Sequence, residues 1–243
     1  MKNTISKISI IIPVYNESEN LKDLYAEVCT SLETLPYSWE FFFVDDGSSD
    51  TSLQILQDLA DQDQRVRYIS FECNKGQSAA FAAGFCYASG DVLVTMDADL
   101  QNDPADIPAM LALYVQGADM VIGWRAKRQD TLIKRYASRI ANWIRNTISH
   151  EQVQDTGCSL KVMRADLARK IPMFTGMHRF LPTLMKLEGA VVQEVQVHHR
   201  PRNKGISKYG IWDRAFASAY DLLAVRWMQK RHISYRIGKT NIR

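Results

Sequence analysis

The segment Val92-Leu93-Val94-Thr95-Met96-Asp97-Ala98-Asp99-Leu100-Gln101-Asn102-Asp103-Pro104 constrains this chain more than any other. It starts as an apolar, β-branched run and ends in acids closed by a proline. Such a run between Gly90 and Pro104 reads as a buried parallel strand, because a strand covered on both faces has no polar side to alternate with. In an open α/β sheet ligands bind beyond the carboxyl ends of the strands, so Asp97 and Asp99 fall where a ligand would sit. Two carboxylates one residue apart, with the amide of Gln101 two residues on, form a hard, oxygen-rich donor set. That set suits Mg2+ or Mn2+ carrying phosphates better than an all-protein cage. Capping of the next helix, at Ile107-Pro108-Ala109-Met110-Leu111, is the competing account of Asp103 or Asp106. It leaves Asp97 and Asp99 unexplained.

The rest of the first half repeats one rhythm. Ile8-Ser9-Ile10-Ile11-Ile12 is a strand entering the turn Pro13-Val14-Tyr15-Asn16-Glu17, and Ser18 can cap a helix striped by Leu21, Leu24, Tyr25, Val28 and Leu32. Glu40-Phe41-Phe42-Phe43-Val44 is a second strand, delivering Asp45-Asp46-Gly47-Ser48-Ser49-Asp50. Asp50 or Thr51 then caps a helix with Leu53, Leu56, Leu59 and Ala60 inward. Residues 66–71 form a third strand, followed by Asn74-Lys75-Gly76 and an alanine-rich helix over 77–89. Residues 119–123 form a fifth strand, closing on Trp124-Arg125. Alternating strands and helices with short connections imply right-handed crossovers and a mostly parallel α/β sheet with helices on both faces.

After Arg125 the rhythm changes. A helix is expected over 131–149, where Ile133, Tyr136, Ile140, Trp143, Ile144 and Ile148 oppose Lys134, Arg135, Arg139 and Arg145. Residues 155–162 read as a loop entering a short strand, and His178-Arg179-Phe180-Leu181 opens a helical piece. Residues 191–199 alternate as a strand, 200–210 form a basic loop containing glycine, and a last helix runs over 212–229. The two halves are expected to form one domain over 1–243, with 1–125 handling one ligand and 126–243 the other.

Composition sets outer bounds. With 243 residues, 46% of them hydrophobic, the chain can bury a sizeable core. The net charge of +3 is small but uneven, with acids early and Arg and Lys crowded after Gly123, so the second half is expected to meet something anionic. Cys29, Cys73, Cys86 and Cys158 form no C-x-x-C pair and read as small buried hydrophobes in a reducing compartment. No signal-peptide core and no run of ~18 apolar residues is visible, which favours a cytoplasmic chain at most peripheral to a membrane. No nucleic-acid partner is expected.

Neither a glycine-rich Rossmann fingerprint nor a G-x-x-x-x-G-K-[ST] loop follows the first strand, so any nucleotide is held differently. Instead Ile12-Pro13-Val14-Tyr15-Asn16-Glu17, Val44-Asp45-Asp46-Gly47-Ser48-Ser49-Asp50 and Asp97-Ala98-Asp99-Leu100-Gln101 resemble the successive signatures of family 2 glycosyltransferases with the GT-A fold. Within that family the chain resembles polyprenyl-phosphate glycosyltransferases of the dolichyl-phosphate mannose synthase type. Gly123-Trp124-Arg125, Asp155-Thr156-Gly157, His178-Arg179-Phe180-Leu181 and Gly205-Ile206-Ser207-Lys208-Tyr209 extend the match into the second half.

The resemblance implies an inverting enzyme that moves a sugar from GDP-mannose or a UDP-sugar to a polyprenyl phosphate. It implies that Pro13, Tyr15 and Glu17 border the nucleoside and that Asp45 or Asp46 reaches the base. Lys75, Gly76 and Ala98 belong to the same donor side. Asp97, Asp99 and Gln101 would hold the divalent ion and donor diphosphate, with Arg125 facing the phosphates. Arg139, His178, Arg179, Arg202, Ser207 and Lys208 fall on the acceptor-phosphate side, and Asp155 matches an aspartate acting at the acceptor.

The chemistry leaves two accounts of Asp155 open. A phosphate monoester is already anionic near neutral pH and needs positioning and charge neutralisation more than a base. A sugar hydroxyl would need a carboxylate in reach, which Asp155 could supply; as a turn residue before Gly157 it would do neither. His178 and His199 weigh more as structural histidines, and Trp143, Trp212 and Trp227 as core or interface residues. The helices over 131–149 and 212–231 combine apolar and basic residues as interfacial helices do, or as helices packed on the sheet do. Contact with the membrane surface would be peripheral or supplied by a membrane-anchored partner. Two rival functions remain: a glycosyltransferase acting on a glycan hydroxyl, and a non-catalytic nucleotide-sugar-binding subunit.

Overall fold

The computed structural model describes residues 3–125, 153–201 and 211–233, with side chains of the last stretch from Tyr220 onward. The helix expected over 131–149 and the loop positions 202–210 lie outside the described residues. The described strands form one seven-stranded sheet. They are β1 (Lys7–Val14), β2 (Ser38–Asp45), β3 (Val66–Ser70), β4 (Val92–Thr95), β5 (Met120–Trp124), β6 (Lys161–Arg164) and β7 (Val192–Gln196). Their order is β3-β2-β1-β4-β6-β5-β7.

β1 is flanked by parallel β2 and β4, and β3 continues the parallel half beyond β2. Chain direction then reverses. β6 lies between β4 and β5 and is antiparallel to both, pairing Lys161 with Thr95 on one side and with Ile122 on the other. β7 restores a parallel pair at the edge, beside β5. The mostly parallel sheet is therefore as expected, and the short strand expected near residue 162 lies inside it between β4 and β5. Val162 and Met163 gave no signal of partner or direction, because pairing with β4 about 70 residues earlier is decided by both faces being covered.

Helices α1 (Leu21–Leu32), α2 (Ser52–Gln62) and α4 (Ile107–Val115) cover one face. Helices α3 (Gln77–Tyr87), α5 (Ala165–Ala168), α6 (Leu181–Leu187) and α7 (Ile211–Arg231) cover the other. Alternation along β1 divides its side chains between the two, Ile8, Ile10 and Ile12 to the first core and Ile11 to the second, all fully buried. Each such burial contributes about 1.5–3 kcal/mol, so packing on both faces decides where this strand lies. Gly84 lets α3 sit directly on β1, since a Cβ there would overlap the Ile11 side chain.

Helix starts follow local chemistry with corrections. Asp50 Oδ1 accepts from Ser52 N at 2.9 Å at the start of α2, as expected. The first helix begins from Asn20 and not from Ser18, with Asn20 Nδ2 donating to Glu17 at 2.7 Å. Asp103 accepts from Ala105 N at 3.1 Å and caps the 3-10 turn Pro104–Asp106 that leads into α4. Asp106 stands at the N-cap position of α4 without a side-chain capping bond; its carboxylate accepts from His198 N at 2.7 Å. Cys29 and Cys158 are buried as expected, whereas Cys73 and Cys86 are exposed.

At the amino ends of the strands the charged groups are closed on one another. Glu40, 1% exposed, accepts from Lys7 Nζ and Ser9 Oγ at 2.6 Å each and from Ser89 N at 2.8 Å. Burial alone would push its carboxyl up, but these donors outweigh it and hold the group below the ordinary glutamate value.

Candidate active site

At the carboxyl ends of the strands the loops stand apart and leave a cleft of about 1620 Å3. The order β2-β1-β4 makes β1 and β4 the point where the chain changes direction along the sheet, which is where open α/β sheets leave a crevice. The expected loops do converge. Asn16 N donates to Ser48 Oγ at 2.9 Å and Ser49 N to Asn16 Oδ1 at 2.7 Å, joining the loop after β1 to the loop after β2. Glu17 N donates to Ser52 Oγ at 2.9 Å in the same seam.

Asp45 and Asp46 are both buried, and their oxygens are engaged within the protein. Asp45 accepts from Ser70 Oγ at 2.7 Å and Ser48 N at 3.2 Å. Asp46 accepts from Lys75 N at 2.6 Å and Gly76 N at 2.8 Å, fixing the loop that opens α3. Burial pushes the Asp46 carboxyl above its ordinary value against these two donors, with Asp45 adding to the rise. Pro13, Tyr15 and Glu17 are half-buried beside this seam and do not line the cleft, whereas Lys75 and Gly76 do.

Asp97, Asp99 and Gln101 line the cleft, while the side chain of Ala98 goes to the core. Asp97 Oδ1 accepts from Gln77 Nε2 at 2.7 Å, and Asp99 Oδ1 accepts from Gln101 N at 3.2 Å. Leu100 takes a left-handed φ of 60° between them, a conformation costing a branched residue roughly 1–2 kcal/mol. Asp97 N donates to Asn102 Oδ1 at 3.3 Å, and Ser159 Oγ donates to the same oxygen at 2.6 Å. The loop before β6 thereby supports the acidic loop. No cluster of three or more His, Cys, Asp or Glu suited to a metal occurs among the described residues. Two carboxylates and an amide on one wall of the cleft match the donor set of a Mg2+ or Mn2+ that completes its shell with phosphate oxygens and water.

Two basic side chains, Arg125 and Lys161, share the cleft with these acids. Arg125 forks onto Asp155, with Nε to Oδ2 at 2.6 Å and the second nitrogen to Oδ1 at 2.9 Å; the side chains are 12% and 8% exposed. Burial opposes the guanidinium charge, but the bond to Asp155 outweighs it and holds Arg125 above its ordinary value. Both carboxylate oxygens of Asp155 are engaged by the guanidinium. Lys161, on β6, lines the cleft floor and donates to the carbonyl of Cys158. Burial pushes its ammonium below the ordinary lysine value, against the charges of Cys158, Asp97 and Asp155. Lys161 was missed by sequence reasoning, although a lysine inside an otherwise apolar strand was a visible anomaly.

The far wall carries His178, whose Nδ1 lies 2.7 Å from Ser78 Oγ at the start of α3, and Arg179. Gly176, at a left-handed φ of 85°, lies so close to Asp221 of α7 that a Cβ there would overlap its carboxylate in this position. Asp221 is raised by burial, with Arg179 opposing. At the mouth, Phe174, Tyr220 and Trp227 are 60%, 78% and 66% exposed. Of the two expectations for Trp227, core or interface residue, its exposure leaves the second. Arg139, Arg202, Ser207 and Lys208 lie outside the described residues.

Residues 9–171 match the model of the family described as Glycosyl transferase family 2. The chain belongs to that family. It is 35% identical over 229 residues to the dodecaprenyl-phosphate galacturonate synthase of Rhizobium johnstonii, covering 92% of this chain and 68% of that protein. It is 37% identical over 220 residues to the undecaprenyl-phosphate 4-deoxy-4-formamido-L-arabinose transferase of Salmonella choleraesuis, covering 90% of this chain and 67% of that protein. Among solved structures, glucosyl-3-phosphoglycerate synthase from Mycobacterium tuberculosis, crystallised with Mn2+, UDP-glucose and phosphoglyceric acid, superimposes with a TM-score of 0.70 at 15% identity. That overlap covers 91% of this chain and 80% of that one, and carries the GT-A fold. The family 2 chain is a glycosyltransferase, which removes the non-catalytic subunit as a rival.

Proposed function

We propose that this family 2 glycosyltransferase moves one sugar, with inversion, from a nucleotide-diphosphate sugar to a polyprenyl phosphate at the membrane face. The observation that supports the proposal is one cleft lined both by charged and amide side chains and by large apolar ones. Asp97, Asp99, Gln101, Arg125 and Lys161 are the former, and Phe174, Tyr220, Trp227 and Met228 the latter. Residues 1–125 would serve mainly the donor and 126–243 the acceptor. The relatives named for transfer to polyprenyl phosphates support this acceptor class.

Asp97, Asp99 and Gln101 would hold the divalent ion. When bound it supplies charge neutralisation at the donor diphosphate. The chain's own residues do the rest. Lys75 and Gly76 would border the donor at the start of α3, and Arg125 and Lys161 would present positive charge toward the diphosphate. An acceptor phosphate oxygen attacks the anomeric carbon from the face opposite the diphosphate. The bond from that carbon to the diphosphate oxygen breaks, and its electron pair stays on the departing oxygen. No proton need be removed, since a phosphate monoester with a second pKa near ~6 is largely dianionic at neutral pH. Asp155, held by Arg125, acts as a positioning residue. The glycan-hydroxyl alternative would require it as a base, and the bidentate pair disfavours that role.

The α7 surface supports the membrane side. Tyr220, Leu223 and Trp227 are exposed at spacings of i, i+3 and i+7, while Leu222 and Val225 turn into the core. Lys230 and Arg231 close the helix. An apolar stripe ending in cations is what an interfacial helix presents to anionic lipid. No helix of the described residues is long and apolar enough to cross a membrane. The deciding experiment supplies nucleotide sugars and Mn2+ with either polyprenyl phosphate in detergent or soluble glycans. Transfer that requires polyprenyl phosphate supports the proposal, and equal or faster transfer to a glycan hydroxyl rejects it.

A further inference from the structure

Beyond β7 the chain crosses the acidic loop as a strap. Val197 N donates to Trp124 O at 3.0 Å, and His199 forms a bridge with Asn102. Arg200 N donates to Gln101 O at 3.0 Å, while Arg200 O accepts from Gln101 Nε2 at 3.4 Å. The Arg200 guanidinium reaches Glu27 of α1 at 2.7 Å and Asp103 at 2.9 Å.

We propose that Arg200 is a positioning residue for the Gln101 amide, and through it for the cation and diphosphate end of the cleft. An amide offers a cation only its oxygen; the NH2 end repels it. Bonding Nε2 to the strap commits the nitrogen end there and leaves Oε1 as the end available to the cleft that Gln101 lines. At 3.4 Å that bond is weak and orients the amide only if the strap is held still. Glu27 and Asp103, from two different elements, hold it. The guanidinium is 38% exposed and its partners 36% and 19%, so these ion pairs matter as geometry more than as stability. Outer groups of this kind typically change metal affinity by about 10–100-fold. Sequence gave no hint, since the partners lie 99 and 173 residues away.

The inference rests on the assignment of Asp97, Asp99 and Gln101 to the cation, and its test separates the two. Mn2+ binding to the full chain is measured by the loss of the free-ion electron paramagnetic resonance signal, with UDP or GDP present. Arg200→Met is expected to weaken Mn2+ binding about tenfold with an unchanged thermal midpoint, and Arg200→Lys to recover part of it. Glu27→Gln, which leaves Arg200 in place, should move binding in the same direction. Adding Arg200→Met to Gln101→Ala should cost nothing further, because both act on one amide. Wild-type Mn2+ affinity in Arg200→Met, or additive losses in the double variant, overturns the inference while leaving the acidic loop's role intact. No nucleotide-dependent Mn2+ binding by the wild-type chain overturns both.

Discussion

The two rims of the sheet use the same residue types to opposite ends. At the amino rim Glu40 is surrounded by Lys7, Ser9 and Ser89 within hydrogen-bond distance, and the carboxylate is closed off. At the carboxyl rim Asp97, Asp99, Arg125 and Lys161 stand on the wall of a cleft. The physical difference lies in the loops. Those at the amino rim bring Ser89 and Gly90 back against β1, with Gly90 N bonded to Ser9 Oγ at 2.8 Å, so no space is left. Those at the carboxyl rim bond to one another along their backs, as Asp46 does to the 75–76 amides, and leave their fronts to a ligand. A closed polar group contributes to stability, and an open one to chemistry at some cost in stability.

Substitutions at the two rims should therefore separate activity from folding. The largest effect is expected for Asp99→Ala, which should reduce transfer by on the order of 10^3-fold or more while leaving circular dichroism and the thermal midpoint near wild type. Full turnover by that variant would end the proposed mechanism. Next comes Lys161→Met, expected to lower kcat about 100-fold with stability kept or raised, since a buried charge is replaced by an apolar chain of similar length. If stability collapses with activity, Lys161 belongs with the amino-rim groups instead. A smaller effect is expected for Tyr220→Ser with Trp227→Ser. The KM for polyprenyl phosphate in vesicles should rise about tenfold, on the order of one to two lost apolar contacts, with kcat unchanged.

The smallest effect on transfer is expected at the amino rim. Glu40→Gln should leave kcat unchanged and cost about 1–3 kcal/mol in denaturant unfolding, because buried donors lose their charged acceptor. Acid should sharpen the contrast. The lowered Glu40 carboxyl gives stability that is present above the unfolded value of about 4.3 and is lost as pH falls through the lower folded value. Asp46, raised by burial, has the opposite sign; its contribution is fullest in acid and fades as pH rises through its raised folded value. Unfolding midpoints of Glu40→Gln against wild type should converge only once pH falls below the lowered folded value of Glu40. Divergence there would show that the Glu40 network is not what acid breaks.

Legibility in the sequence tracked the range of the interaction. Strand and helix periodicity placed β1 to β5 and α1 to α4 to within a few residues, because alternation and stripes are local. The pair Asp97 and Asp99 was readable for the same reason, a polar tip on an apolar run. Asp155 was not, since its meaning as turn residue or base depended on Arg125, 30 residues distant, which takes both its oxygens. The exposure of Trp227 was equally hidden, because a tryptophan in an amphipathic helix carries no mark of which neighbours cover it.

By itself the sequence determined which segments would be strands, which loops would meet at their carboxyl ends, and that an oxygen-rich tip would stand among them. Hydrophobic period and turn chemistry act over a few residues and can be read there. Tertiary structure alone decided that β6 enters antiparallel between β4 and β5 and brings Lys161 under the acidic loop. It alone decided that Arg125 claims Asp155, and that the strap through Arg200 meets Gln101. Each of those depends on burying two distant surfaces at once, a free energy that belongs to the packed pair and is written in neither segment alone.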